Sequence, residues 1–169
     1  MHASKWFLLG MVPSGNTLGS DEREEQAVDR EETLEFARTL MKEVWEAFDS
    51  SALARFYHRD MVGHHRRPNE TQELGYADVV NRLDWDKQTN SNPVFDYRDI
   101  VAEEDRFAIR YSYKADFVPQ GDDGMRDHHT AAAGGKIDVE MIYFYHLREG
   151  KVAEFWLQAN VDFDYKAKP

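Results

Sequence analysis

Two side chains in this sequence have the type and setting to move a proton. His64 closes the run Tyr57-His58-Arg59-Asp60-Met61-Val62-Gly63-His64-His65, and Glu140 stands among apolar residues in Ile137 to Leu147. A neutral imidazole titrates near physiological pH, so a histidine facing a pocket can serve as general base or ligand anchor. A carboxylate on an apolar strand face is a candidate acid, because desolvation favours the protonated form of such a group. Each has a plainer role as well: His64 as a rim or core histidine bonded to backbone, Glu140 as the ion-pair partner of Lys136 or Arg110. His65 faces away from His64 if the strand is regular. Asp122, Asp123, Asp127, His128 and His129 share one Gly/Asp-rich loop. Neighbouring histidines do not close on one metal from a regular strand, and a loose loop organises a site poorly, so this segment reads as a solvated lid and no metal is expected. A Ser-His-Asp order, a phosphate loop, a dinucleotide fingerprint and a His-Glu-x-x-His helix are all missing, so no cofactor is expected.

Positioning such groups requires elements whose periods can be read. Leu34, Ala37, Met41, Val44 and Phe48 recur at spacings of three and four, with Leu40 and Trp45 widening the stripe, which predicts a helix over 29–48. Asp29 and Glu32 resemble a capping box at its start. A short helix, Ala52 to Tyr57, follows the Asp49-Ser50-Ser51 break. Met61 to Arg66 reads as a short strand that turns His64 inward, and Arg67 to Glu70 as a turn. A third helix runs from Gly75 to about Lys87, with Ala77, Val80 and Leu83 on one side and Trp85 near its end. Thr89 to Pro93 reads as a loop.

After residue 93 the period changes to two. Val94 to Glu103 is a strand. Arg106 to Phe117 places Phe107, Ile109, Tyr111, Tyr113, Ala115 and Phe117 on one face. Pro119 to Lys136 forms a long loop, and Ile137 to Leu147 and Val152 to Val161 form a hairpin about Glu149-Gly150. A two-residue turn pairs Leu147 with Val152. The same count pairs Phe144 with Phe155, Ile142 with Leu157 and Glu140 with Ala159, so Glu140 shares a face with Phe155 and Leu157. The opposite face carries Tyr143, Tyr145 and Trp156, and an aromatic face of that breadth predicts a covering second subunit.

Bulk properties narrow the function classes. The 169 residues carry 32 acidic and 21 basic side chains, a net charge of −11 with pI about 5.0. Such a chain repels phosphate backbones, so nucleic acid is not an expected partner. With no cysteine, thiolate chemistry, disulfides and Cys-based metal sites are excluded. No apolar run approaches the ~18 residues of a membrane span, and a cytoplasmic location is expected. Residues 1–28 read as a flexible arm and linker, with an apolar run Trp6 to Val12 that docks on the domain or a partner, and 29–165 as one domain. The acidic stretch Asp21 to Glu35 is read as a solvated helix start suited to the helix dipole.

The ordered motifs resemble a known family. Phe56-Tyr57-His58-Arg59-Asp60-Met61-Val62-Gly63-His64 is similar to the "Tyr-x-x-Asp-Val-Val-x-His" that opens the first strand of the SnoaL-like group of the NTF2-like superfamily. Gly75-Tyr76-Ala77 resembles the opening of its third helix. Ala133-Gly134-Gly135-Lys136 resembles its "Pro-Thr-Gly-Lys", and Arg148-Glu149-Gly150-Lys151-Val152-Ala153-Glu154-Phe155-Trp156 its "Asp-Gly-Lys-Ile-x-Glu-x-Trp" hairpin. The likeness covers about residues 30 to 163. It implies an α+β, cystatin-like cone: a curved antiparallel sheet with three helices from the N-terminal half on its concave side. Polyketide cyclases of this group carry an acid/base aspartate directly after the tryptophan. Here that position is Leu157, and the next expected aspartate is Asn160, so the cyclase mechanism does not carry over.

The expected site is therefore a mainly apolar cavity walled by Trp45, Trp85, Tyr111, Phe155 and Leu157, with His64 and Glu140 as its proton-transfer pair. Its ligand would be a small hydrophobic carbonyl-bearing molecule, and its reaction an isomerisation, cyclisation or dehydration. The alternative is a non-catalytic ligand-binding or accessory dimerisation module. A homodimer through the convex sheet face is expected in either case.

Overall fold

The structure, a computed structural model, describes residues 20–66, 71–118 and 135–159, with side chains from residue 30. The predicted turn at Arg67 to Glu70, the loop bearing Asp122 to His129, residues 1–19 of the arm and linker, and Asn160 lie outside the described residues. Helix α1 spans Ser20–Leu40 and continues into a π-helical turn, Met41–Glu46. Helix α2 is the single turn Leu53–Phe56, and α3 spans Tyr76–Thr89. The strands are β1 Tyr57–Arg66, β2 Thr71–Leu74, β3 Asn90–Glu103, β4 Arg106–Phe117, β5 Lys136–Arg148 and β6 Lys151–Ala159. They form one six-stranded sheet in the order β2-β1-β6-β5-β4-β3. All neighbours are antiparallel except β1 and β6, which run parallel. The fold is the expected α+β cone, with a mixed sheet in place of a purely antiparallel one.

Several boundaries move for physical reasons. Helix α1 already includes residues 20–28, so Asp29 lies inside the helix rather than at its N-cap. The segment after Thr89 is strand, not loop. Pro93 is tolerated there because β3 is an edge strand and its ladder is irregular between Ser91 and Val94. Helix α3 turns Val79, Arg82, Leu83 and Asp86 inward, while Ala77 is exposed and Val80 half-buried. The N-cap of α3 is Gly75, whose backbone N–H donates to the Asp78 carboxylate at 2.8 Å.

The β5–β6 hairpin carries the main correction. Its turn has Glu149 and Gly150 both at positive φ (50° and 71°), the requirement of a type I′ turn, and Leu147 pairs with Val152 as expected. The next pair, however, is His146 with Glu154, so Ala153 has no partner on β5. This bulge shifts every later pair by one: Tyr145 faces Phe155, Phe144 faces Trp156, Tyr143 faces Leu157 and Met141 faces Ala159. Tyr143 and Tyr145 consequently lie buried beneath the helices with Phe155 and Leu157. Glu140, Ile142, Phe144 and His146 join Glu154, Trp156 and Gln158 on the outer face. The expected dimer face keeps Trp156 and loses both tyrosines.

On β1 the same parity decides the histidines. Gly63 pairs with Phe155, His64 with Trp156 and His65 with Leu157. His65 is the buried one, and His64 points outward, the reverse of the expectation. Gly63 is required by close approach. A Cβ on its backbone would stand 2.3 Å from Cζ of Phe155 and 2.6 Å from its Cε1. Gly63→Ala should therefore destabilise the fold by about 1–3 kcal/mol through overpacking. Urea denaturation checks this: the midpoint should fall, and Phe155→Leu in the same chain should recover part of the loss.

Candidate functional site

The inner sheet face is an aromatic stack. Tyr111 lies parallel to Tyr143 (centroids 6.2 Å apart), Tyr143 to Tyr145 (5.5 Å) and Tyr145 to Phe107 (4.5 Å). The β4 alternation predicted from sequence supplies Tyr111 and Phe107, and the bulge supplies the two β5 tyrosines. Against this face pack the π-helical turn, through Trp45 at 5.9 Å from Tyr143, and α3. Between them lies a cavity of about 30 Å³ lined by Trp45, Phe48, Arg82, Asp86, Phe95, Tyr111, Tyr113, Met141 and Tyr143.

One end of this cavity is polar. Arg82 and Asp86 occupy positions i and i+4 on the buried stripe of α3, and Arg82 Nε donates to Asp86 Oδ2 at 2.8 Å. Asn90 Nδ2 donates to Asp86 Oδ1 at 3.0 Å and to the Tyr113 hydroxyl at 2.8 Å. Thr89 Oγ1 donates to the Trp85 carbonyl at 2.8 Å, and the Arg82 guanidinium lies over the Trp85 ring at 5.0 Å. Arg82, Asp86, Thr89, Asn90 and Tyr113 are all buried. A charged pair so placed is retained against a desolvation cost of several kcal/mol per ion, offset by mutual attraction and these added hydrogen bonds.

The opposite part of the cavity lining is aromatic. Phe48 sits at φ +47°, a left-handed conformation uncommon for a bulky residue, with its ring 6.2 Å from Phe95 and 6.4 Å from Tyr113. Beyond it, the Tyr97 hydroxyl donates to Glu46 at 2.7 Å. Burial first, and that bond second, push the Tyr97 phenol well above its ordinary value, so it stays protonated.

The structure brings two of the expected site residues, Trp45 and Tyr111, to the cavity wall. Trp85 packs beside it, on Phe117 and Arg82. Phe155 is core, wedged against Gly63 and 6.4 Å from Tyr57. Leu157 is fully buried on the inner face and also floors an outer groove. His64 and Glu140 do not meet there. Glu140 is exposed on the outer face, opposite Ser112. His64 stacks on Trp156 at 5.1 Å, with Nε2 2.8 Å from Glu154 Oε1, and His146 approaches the other Glu154 oxygen at 3.9 Å. No cluster among the described residues has the make-up to hold a metal ion. Sequence reading passed over Arg82, Asp86, Asn90 and Tyr113 as a set. The available signal was an Arg and an Asp four apart, in register with Val79 and Leu83 on an otherwise apolar stripe.

With fold and cavity described, the chain can be compared with known proteins. The SnoaL-like polyketide cyclase family matches residues 35–161, and the chain belongs to that family. Solved structures of the same fold include PrhC from Penicillium brasilianum (TM-score 0.62, 16% identity, 78% of this chain and 82% of that one). A SnoaL-like protein from Jannaschia sp. CCS1 is similar (TM-score 0.60, 15% identity, 78% and 87%). So is TsrD from Streptomyces laurentii (TM-score 0.59, 17% identity, 78% and 90%). No curated protein matches the chain. Among the described residues, no helix is long and apolar enough to cross a membrane.

Arg82→Met leaves Asp86 without its guanidinium partner and should cost about 3–5 kcal/mol of stability, whereas Arg82→Met with Asp86→Leu should cost much less. Chemical denaturation of the two variants tests whether the pair is a coupled unit.

Proposed function

We propose that the chain binds a small, largely apolar, carbonyl-bearing molecule in the inner cavity and moves a proton on it, as an isomerase, cyclase or dehydratase would. The supporting observation is the buried Arg82–Asp86–Asn90–Tyr113 network opening on an aromatic wall, the combination of apolar lining and few placed polar groups that small-molecule sites use. Asp86 takes the place that His64 and Glu140 held in the sequence reading. Its carboxylate accepts a proton from the carbon next to the carbonyl, the C–H electron pair moves into an enolate, and the proton returns from Asp86 to a carbon or oxygen of the same ligand. Arg82 and Asn90 hold the carboxylate in place, and Tyr113 supplies a hydroxyl beside it. Admission of a ligand requires the Phe48–Phe95 side to open, because about 30 Å³ holds roughly one water.

That small volume also favours a second reading, a non-catalytic dimerisation module. In both readings we propose a homodimer through the outer face, supported by the exposure of Val62, Ile142, Phe144 and Trp156 on one side of the sheet. They adjoin a groove of about 390 Å³ that also takes in His64, Arg66 and Gln158.

Two measurements test these readings. Deuterium exchange at the α-carbon of simple aryl ketones and β-diketones in D2O, followed by NMR, should be accelerated by the protein. Asp86→Asn should reduce the acceleration by about 10²–10⁴-fold, the usual worth of a positioned base, and Tyr113→Phe by less. Both are assayed well below their melting temperatures, and a folded wild type that exchanges no faster than buffer sinks the catalytic reading. Sedimentation velocity should show a dimer at micromolar concentration that Trp156→Glu converts to a folded monomer; a monomeric wild type counts against the assembly.

A further inference from the structure

We propose that the indole N–H of Trp45 is the donor that anchors the ligand's oxygen in the inner cavity, an inference that rests on reading that cavity as the ligand site. Trp45 is 5% exposed and belongs to the cavity wall. Its Nε1 is buried and has no hydrogen-bond acceptor among the described residues. Leaving a buried N–H unsatisfied costs about 1–3 kcal/mol, and buried polar groups in native proteins are almost always paired. An acceptor held in the cavity removes that cost.

The chemistry of the group narrows the ligand. An indole N–H donates and cannot accept, so the atom it meets carries a lone pair: a carbonyl or enolate oxygen. Asp86 lines the same cavity, and its carboxylate accepts hydrogen bonds or a proton but cannot donate to the ligand's oxygen. A donor on one element and a carboxylate on another suit a ketone with an acidic α C–H. The oxygen lies on Trp45 and the C–H is turned toward Asp86, and the bond to Trp45 strengthens as the oxygen gains charge. The cavity of about 30 Å³ is large enough for a water to take the oxygen's place in the ligand-free protein.

Local structure explains why this tryptophan is available. The chain after Leu40 leaves α-helical spacing for π-helical spacing over Met41–Glu46, with the Asp49 N–H donating to the Val44 carbonyl at 3.0 Å, five residues back. Such an inserted residue rotates the side chains that follow it, and these turns cluster at functional sites. Val44 and Trp45 are both buried here, so the turn feeds two consecutive residues into the interior.

The test is an NMR titration with acetophenone and, as the oxygen-free control, ethylbenzene. Acetophenone should move the Trp45 indole proton downfield and ethylbenzene should not. Trp45→Phe should weaken acetophenone binding about tenfold, equivalent to 1.4 kcal/mol, and leave ethylbenzene within about twofold. If acetophenone perturbs Tyr113 but binds Trp45→Phe as tightly as wild type, the Trp45 role is overturned and the cavity reading stands. If neither compound binds, the cavity reading fails for such ligands and the Trp45 role falls with it. Should Trp45→Phe not fold, the downfield shift in the wild-type chain decides.

Discussion

Ala153 has no partner across the β5–β6 ladder, and most of the interior depends on that unpaired residue. A strand alternates its side chains with period two, so one inserted residue exchanges the faces of everything beyond it. Phe155 and Leu157 point under the helices together with Tyr143 and Tyr145 because the shift brings these four into register. The parallel neighbour β1 accommodates the same irregularity: Tyr57 pairs with Val152 but Val62 with Glu154, so the run His58 to Met61 carries extra length there. The Asp60 carboxylate within that run accepts two bonds from Arg148 at 2.7 and 2.9 Å, which pins the run to the hairpin turn. That contact, hydrogen bond before charge, holds the Asp60 carboxyl below its ordinary value.

Gly63 is the second half of the same device. The bulge directs Phe155 inward, and the ring needs the space a side chain on residue 63 would fill. Packing at crystal-like density leaves no room for both. The glycine thereby fixes which residues of β1 go in and which go out, with His65 beneath the helices and His64 on Trp156. Two adjacent histidines of similar chemistry receive opposite environments from one backbone parity.

Much of the architecture was legible from period and punctuation. Strand β4 begins and ends where its alternation does, α3 was found within two residues, and the Glu149-Gly150 turn was located with its first pair. The site was not legible to the same degree. A bulge carries no compositional mark when the extra residue is an alanine between Val152 and Glu154, so a count from the turn placed Glu140 inside and Tyr143 outside. Tertiary parity, absent from any local window, decided His64 against His65. Trp45 and Tyr111 belong to the apolar stripes read from sequence, and both line the inner cavity; the π-helical turn that carries Trp45 left no mark in that periodicity.

The Arg82–Asp86 pair argues for a site on energetic grounds as well as geometric ones. Replacing a buried ion pair by apolar residues of similar volume is often neutral or stabilising, so such a pair is weak evidence of a stability device. Here it is carried on the same stripe as Val79 and Leu83, where two more aliphatic side chains would complete an ordinary helix–sheet core. The neighbouring Trp45 N–H adds an unsatisfied donor, and Phe48 adds a left-handed backbone. Three departures from low-cost packing thus border one cavity of about 30 Å³, whereas among the described residues none of the equally aromatic Phe107, Tyr145 and Phe155 has positive φ. Departures of this kind concentrate where a fold spends stability on function. Their convergence at the Trp45 end of the aromatic stack, and not along its whole length, is the reason to look for chemistry there.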